Sequence, residues 1–287
     1  MTILVTGATG VVGRQVVGQL TAAGERVRAL SRRPQEAELP DGVEVVGGDL
    51  DEPAGLAPAL RGVDRLHLFP HPATAREVVA LAKDAGVRRI VVLSAAAVTV
   101  GMDTVMHPVV EEAVRESGLE WTFVRPAGFM TNMLQVWAPM VRAERVVRYP
   151  YGDDPGASPV HEADVAAVAV AALREDGHHG KAYTLTGPAR VTVREQVAAI
   201  GAALGEEVRY EEVSRERARA ILRAQGGFAA RSADLLLGFV DYEGGDDTGA
   251  NDGFEKLMEP WPDLAEALGR PGRTYQEWAR DHAADFR

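Results

Sequence analysis

The N-terminus of the chain combines an apolar run, a glycine-rich turn and a helical pattern, and this combination constrains the fold more than any other feature. Residues 3–5 (ILV) lead directly into the turn TGATGVVG at 6–13, after which Val12, Val16 and Leu20 recur at helical spacing. The turn therefore joins a strand to a helix. Glycine allows a tight turn and close approach of backbone to phosphate, and the helix N-terminus favours the phosphate charge. The segment predicts a nucleotide-binding turn; the alternative is a glycine turn without a ligand.

The glycines of this turn are spaced G-x-x-G-x-x-G. Arg14 follows Gly13, so the Gly-Lys-Ser/Thr ending of a P-loop is missing and that class of site is excluded. We expect the turn to line the phosphates of a dinucleotide. Its predicted contacts are Gly7, Thr9, Gly10, Val11, Val12 and Gly13.

Apolar runs and helical segments alternate along the first half of the chain. The runs that predict core strands are 3–5, 27–30, 43–46, 65–70, 90–93, 121–124 and 182–186. Regular alternation of this kind predicts the Rossmann α/β fold, a doubly wound parallel sheet with helices on both faces. Ligands of such sheets bind beyond the carboxyl ends of the strands. Gly7, Arg32, Asp49, Phe69 and Ser94 all follow a predicted strand and are expected at that edge.

Ser31, Arg32 and Arg33 follow the second predicted strand, where a Rossmann protein recognises the adenosine ribose. An acidic residue there binds the 2′-hydroxyl of NAD, whereas arginine accommodates the 2′-phosphate of NADP. Two arginines without an acid favour NADP as the cofactor. The alternative is a solvated basic turn.

Further motifs make the chain resemble a known family. Besides TGATGxxG, they are VVLS at 91–94, SGLEWTFVRP at 117–126 and FMTN at 129–132. Together they resemble the NmrA-like branch of the atypical short-chain dehydrogenase/reductases, which are NAD(P)-binding Rossmann proteins. The resemblance implies that Asp49 and Leu50 lie beside the adenine, although Asp49 could equally cap the next helix. It also implies that Phe69 and Pro70 pass under the nicotinamide ribose and that Pro126 contacts the cofactor on the substrate side.

The catalytic pair of this superfamily is missing. Ser94 stands at the position of the family's serine, but no tyrosine of the chain has a lysine four residues on. Aligned with relatives, the Tyr, Lys and Glu positions fall on Asp103, His107 and Glu111.

Two functions remain open at this point. In the first, the protein is an NADPH-dependent reductase of a quinone, an enone or a similar carbonyl-type acceptor, which needs little acid assistance. Histidine changes charge near neutral pH, so His107 could supply the proton, and Ser94 is the second catalytic candidate. In the second, the protein binds NADP without turnover and acts as a redox sensor.

The composition of the chain restricts the kinds of partner and ligand that it is expected to bind. The formal net charge of −11 argues against a nucleic-acid surface, and without cysteine there are no thiolate metal sites or disulfides. No apolar run approaches the ~18 residues of a membrane span. Because Met1 leads straight into the first predicted strand, we expect no signal peptide. We expect a cytoplasmic monomer or homodimer that acts on a small molecule and binds no metal.

The later part of the chain is predicted to complete a single extended Rossmann unit. The cofactor part is assigned to about 1–130 and 158–186, and the substrate-facing part to about 131–157 and 187–287. A helix is expected over 104–117, and Thr192 with Glu195 predicts a capping box. The glycine- and aspartate-rich stretch 244–249 is expected to be a mobile loop within a lid at 225–253.

Overall fold

The chain folds into two units, each with its own core. The computed structural model describes residues 1–154, 156–240, 244–245 and 252–287. The first unit comprises Met1–Pro126, Glu162–Leu185 and Pro262–Pro271. The second comprises the described residues of Ala127–His161, Thr186–Trp261 and Gly272–Arg287. The stretch 262–271 therefore belongs with the N-terminal strands, although it lies far from them in sequence.

The strands carry the fold of the first unit. In the described part of the chain they are β1 Thr2–Val5, β2 Arg26–Ser31, β3 Glu44–Gly47, β4 Arg65–Leu68, β5 Arg89–Leu93, β6 Glu120–Pro126, β7 Val146–Tyr149, β8 Lys181–Leu185 and β9 Arg209–Glu212. Seven of them form one parallel sheet in the order β3-β2-β1-β4-β5-β6-β8. The strand order reverses between β1 and β4, the point at which such sheets bind ligands. The predicted Rossmann fold is confirmed.

Helices separate the strands along the chain in both units. Those of the described residues are α1 Val11–Ala22, α2 Ala57–Leu60, α3 Ala75–Asp84, α4 Ala96–Thr99, α5 His107–Glu116, α6 Met130–Glu144, α7 Glu162–Arg174, α8 Val193–Leu204, α9 Arg215–Gln225, α10 Gly227–Leu236, α11 Asp252–Met258, α12 Asp263–Leu268 and α13 Tyr275–Asp281. Short 3₁₀ turns lie at Pro34–Glu36, Pro53–Leu56, Pro72–Thr74 and Ala283–Phe286. None of the helices in the described ranges is long and apolar enough to cross a membrane.

Alternation along the strands divides the apolar side chains between the two faces of the sheet. Leu4, Leu66 and Ile90 pack with the apolar stripes of α3 and α5 in one core cluster. Their neighbours Val5 and Val91 are also completely buried, and α1 packs against α7 beside the strands. Because successive side chains of a strand point to opposite faces, these residues lie on the other face of the sheet from Leu4, Leu66 and Ile90.

The second unit has a helical core with a small sheet. Trp137, Ile200, Leu222, Trp278 and Phe286 come from separate helices and turns of this unit and are buried in a single cluster. Strands β7 and β9 pair in parallel, with Val147 opposite Tyr210. This two-stranded sheet was not predicted from the sequence.

Two local expectations have clear outcomes. The predicted capping box is confirmed, since the Thr192 hydroxyl accepts the Glu195 N–H at 3.1 Å and the Glu195 carboxylate accepts the Thr192 N–H at 2.8 Å. The predicted start of the helix at Thr104 is wrong, because α5 begins at His107. The expected mobile loop at 244–249 falls mostly outside the described ranges, which omit 241–243 and 246–251. Most of the expected lid at 225–253 is described and contains α10. Its role as a lid stays a prediction.

Candidate functional site

The glycine turn after β1 is closely packed. Gly7 has φ +62°, and the Gly10 N–H donates to the Gly7 carbonyl at 3.0 Å. A Cβ at Gly13 would lie 2.0 Å from the Gly7 oxygen, and one at Gly7 would lie 3.0 Å from the Phe69 ring. Gly10 is the N-cap of α1 and no side chain caps the helix. The first N–H groups of α1 are thus available to a phosphate.

Exposed apolar side chains occur in several connections that follow the carboxyl ends of strands of the sheet. Phe69 follows β4 and is 45 % exposed, and Val11 at the start of α1 is 48 % exposed. Val105 and Met106, between β5 and β6, are 68 % and 45 % exposed. Large apolar side chains exposed at this edge offer contact area to a ligand. Thr9 and Gly10 are also exposed there, and Pro70 is half-buried.

The two arginines at the end of β2 differ in whether an acidic side chain pairs with them. The Arg33 N–H donates to the Ser31 Oγ at 3.1 Å, and the Arg33 guanidinium pairs with Glu36 at 2.7 Å. Arg32 is exposed and has no side-chain partner among the described residues. Of the two arginines predicted to bind a 2′-phosphate, Arg32 is the one whose charge is uncompensated.

A third arginine lies beside the turn and was not predicted as a binding residue. Arg14 donates from Nε to the Thr9 carbonyl at 2.9 Å and from Nη1 to the Glu38 carbonyl at 2.5 Å. Its guanidinium therefore connects the glycine turn to the segment that follows β2. The signal in the sequence was the basic residue directly after Gly13, whose position also excludes a P-loop.

Asp49 and Leu50 occupy the turn after β3. The Asp49 carboxylate accepts the Asp51 N–H at 3.1 Å, and the following 3₁₀ turn at Pro53–Leu56 has no side-chain cap. The expectation that Asp49 caps the next helix is therefore wrong. Leu50 is buried, and its carbonyl accepts the Thr74 hydroxyl at 2.6 Å.

Ser94 is bound to a buried carboxylate. Its Oγ donates to the Glu111 Oε1 at 2.7 Å, and Glu111 on α5 is completely buried. The same carboxylate accepts two bonds from Arg125, at 2.8 and 2.6 Å, and one from Arg115 at 2.7 Å. Arg125 also donates to Thr99 at 3.2 Å. This network fixes β5, α5 and β6 relative to one another and leads from Ser94 into the protein interior.

Asp103 and His107 form a second polar pair, at the start of α5. Their exposed fractions are 4 % and 7 %, and the His107 Nδ1 lies 2.5 Å from the Asp103 Oδ2. The Asp103 carboxylate also accepts the N–H groups of Val105, Met106 and His107 at 3.1, 2.8 and 3.2 Å. Burial alone would raise the pKa of Asp103, but the bonds from the His107 ring and from these amides hold it below its ordinary value.

The two residues proposed for chemistry lie on different elements, Ser94 after β5 and His107 at the start of α5. Among the described residues Ser94 bonds Glu111, which follows His107 by one turn of α5. Pro126 is buried at the end of β6. His67 lies inside β4, and neither ring nitrogen has a hydrogen-bond partner of good geometry among the described residues. Burial lowers the pKa of His67 to about 4, so it is a neutral core side chain.

Similarity to known proteins extends along nearly the whole chain. The sequence profile of the NAD(P)H-binding family matches residues 7–176. The chain is 43 % identical to the (4-alkanoyl-5-oxo-2,5-dihydrofuran-3-yl)methyl phosphate reductase of Streptomyces griseus, with 99 % of both chains covered. It is 32 % identical to the NAD(P)H azoreductase of Xenophilus azovorans, again with 99 % of both covered. The NADPH complex of the NADPH-dependent quinone oxidoreductase of Escherichia coli superposes with a TM-score of 0.75 at 26 % identity, covering 97 % of this chain and 99 % of the other.

Proposed function

This chain belongs to the NAD(P)H-binding family and is an oxidoreductase of the atypical short-chain dehydrogenase/reductase type, and we propose that it reduces a conjugated carbonyl compound with NADPH. The single observation that carries the proposal is the replacement of the Tyr and Lys positions by the buried Asp103–His107 pair. A simple ketone needs a strong proton donor beside its oxygen, whereas a conjugated acceptor spreads the negative charge itself.

NADPH is the proposed cofactor, in preference to NADH. The uncompensated Arg32, the hydroxyl of Ser31 and the anchored Arg14 are the groups that support recognition of a 2′-phosphate. The turn Gly7–Gly13 would hold the pyrophosphate against the start of α1, and Phe69 would lie against the nicotinamide end. Asp49 and Leu50 remain the proposed adenine contacts.

The proposed substrate class is a doubly activated alkene or a quinone. By its name, the Streptomyces griseus relative reduces an alkanoyl dihydrofuranone phosphate, whose ring carbon–carbon double bond is conjugated with two carbonyl groups. Hydride addition to such a bond leaves a carbanion that both carbonyls stabilise. The bound NADPH supplies that hydride. His107 then delivers a proton from Nε2 to complete the reduction, while Ser94 supports α5 through Glu111.

Turnover and binding must be measured separately. We expect purified protein to oxidise NADPH in the presence of an alkanoyl dihydrofuranone or a quinone, with stoichiometric formation of the reduced product by mass spectrometry. A saturated analogue of the lactone is the matched control and should leave NADPH unchanged. Tight NADPH binding without consumption over the whole acceptor panel would contradict the proposal and favour a sensor.

A further inference from the structure

We propose that Asp103 is a positioning residue of this reductase, whose carboxylate holds the His107 ring with its proton on Nδ1 and thereby makes Nε2 the atom that gives the proton to the substrate. The inference rests on the proposed function. Asp103 itself is assigned no contact with substrate or cofactor, so its effect on the reaction passes entirely through the His107 ring.

The direction of the hydrogen bond follows from the state of the carboxylate. The pKa of Asp103 is held low by the His107 ring and the backbone amides, in spite of burial. An ionised carboxylate only accepts hydrogen bonds, so the His107 Nδ1 must donate across the 2.5 Å contact. The ring therefore keeps its Nδ1 proton, and Nε2 is the nitrogen that gains or loses one.

The carboxylate is itself fixed in place, which is what a positioning residue requires. Three consecutive backbone N–H groups, those of Val105, Met106 and His107, donate to its two oxygens at 2.8–3.2 Å. These bonds close the turn from which α5 begins. Rotation of the Asp103 side chain would break all of them, so the ring is held by a rigid acceptor.

The His107 ring is less enclosed than the core histidine of the same unit, with exposed fractions of 7 % and 1 %. Among the described residues no side chain or backbone group binds Nε2 of His107, and the nitrogen is not enclosed as both ring nitrogens of His67 are. The exposed side chains of Val105 and Met106 immediately precede it. In the proposed complex the substrate lies against Val105 and Met106, beside Nε2.

The alkene gains a hydride and a proton from two different donors. When bound, NADPH would supply the hydride, that is two electrons and one proton, to the carbon–carbon double bond and would leave as NADP⁺. The N–H bond at Nε2 of the imidazolium then breaks as a C–H bond forms at the carbanion. The ring is left neutral, with its Nδ1 proton still donated to Asp103, and water returns the second proton to Nε2. Asp103 stays ionised throughout.

The tautomer of His107 tests the inference without any substrate. In ¹⁵N-histidine spectra of the wild type, we expect the neutral His107 ring to carry its proton on Nδ1. Asp103→Asn keeps an oxygen for the backbone amides but places an amide donor at Nδ1, so the proton should move to Nε2. Asp285→Asn is the matched control, because it removes the carboxylate of the exposed His282–Asp285 pair, which is 2.8 Å long. An unchanged His107 tautomer in Asp103→Asn would overturn the inference.

Kinetics then separate positioning from helix capping. Asp103→Asn should lower kcat by about 10²–10⁴-fold, the usual value of general acid catalysis, with the Kd for NADPH unchanged. His107→Gln should lower kcat equally, and the double variant no further, because the two residues act as one unit. A lower Tm with an unchanged kcat would show that Asp103 only caps α5. Should the wild type reduce no acceptor, the proposed function fails, while the tautomer still decides the role of Asp103.

Discussion

A methyl group at Gly13 has no room, whereas one at Gly18 in the same helix has ample space. The Cβ at Gly13 would meet the Gly7 oxygen at 2.0 Å, and that at Gly18 meets nothing within 4 Å. We expect Gly13→Ala to destabilise the fold by about 1–3 kcal/mol and to abolish NADPH binding, since the turn must open. Gly18→Ala should stabilise the helix by up to about 1 kcal/mol. Chemical denaturation and NADPH fluorescence titration measure both, and equal effects at the two sites would contradict the close packing of the turn.

Arg32 is expected to set the cofactor preference more strongly than Arg33. Arg33 is paired with Glu36, whereas Arg32 has no such partner within the described residues. Arg32→Ala should weaken NADPH binding tenfold or more, as the loss of a charge-assisted contact of about 1.5–3 kcal/mol implies, and leave NADH binding unaffected. Arg26→Ala, at the amino end of β2, is the control. Equal wild-type affinities for NADH and NADPH in calorimetry would refute the assignment.

At the scale of residues, some of the candidate site could be predicted from the sequence and some could not. The turn residues and Arg32 were predictable because their function depends on local spacing after a strand. The Asp103–His107 contact was not predicted, because residues 104–106 were assigned to the helix and the structure leaves them in the turn before it. Asp103 itself holds this turn by accepting the N–H groups of Val105 and Met106. A side chain that caps a turn and also orients a ring has no signature in residue spacing.

At the scale of elements, Glu111 joins α5 to β5 and β6 and is the side chain whose loss should be most damaging. It is completely buried among donors from Ser94, Arg115 and Arg125. Glu111→Gln would leave Arg125 without its counter-charge, and breaking a buried pair in this way costs about 3–5 kcal/mol. Glu112→Gln removes only the exposed contact to Arg76, 3.5 Å long, and no measurable loss of stability is expected because solvent screens such a pair. Denaturant midpoints compare the two; similar losses would show that the network adds little stability.

The elements of the first unit were largely predictable and those of the second less so. The core strands are continuous apolar runs followed by glycine or polar turns, as buried parallel strands require. Strand β9 has the sequence RYEE and is mostly exposed, and its partner β7 lies about sixty residues earlier. Neither apolar alternation nor a hairpin turn in the sequence indicates that β7 and β9 pair, because a parallel partner is specified only by the tertiary fold.

At the scale of the whole molecule, a segment near the C-terminal end of the sequence belongs to the first unit. Residues Pro262–Pro271 join the first unit, and the Thr184 N–H of β8 donates to Asp263 at 2.6 Å. Arg270 likewise pairs with the buried Asp164 of α7 at 2.8 Å. Both contacts connect residues about eighty or more positions apart, so composition and periodicity could not indicate them.

The stability of the molecule should depend on pH through His67 in the centre of the sheet. Its ring is completely buried, and burial lowers its pKa to about 4 from an ordinary value of 6.5. Above pH 6.5 the ring is neutral in both the folded and unfolded states, and the full stability is present. As pH falls toward 4, only the unfolded state takes up the proton, so stability is lost progressively by up to about 3 kcal/mol.

A variant without the ring isolates this effect from the titration of the carboxylates. His67→Leu keeps an apolar side chain between Leu66 and Leu68 and removes the titrating group. Between pH 7 and pH 4, we expect the free energy of unfolding of the wild type to fall by about 3 kcal/mol more than that of His67→Leu, as measured with denaturant. The reason is that each unit by which folding lowers a pKa is worth about 1.4 kcal/mol. His179→Leu, at an exposed histidine, should follow the wild-type curve. Parallel curves for wild type and His67→Leu would mean that the buried ring finds a proton-accepting partner, and that the core of the sheet tolerates its charge.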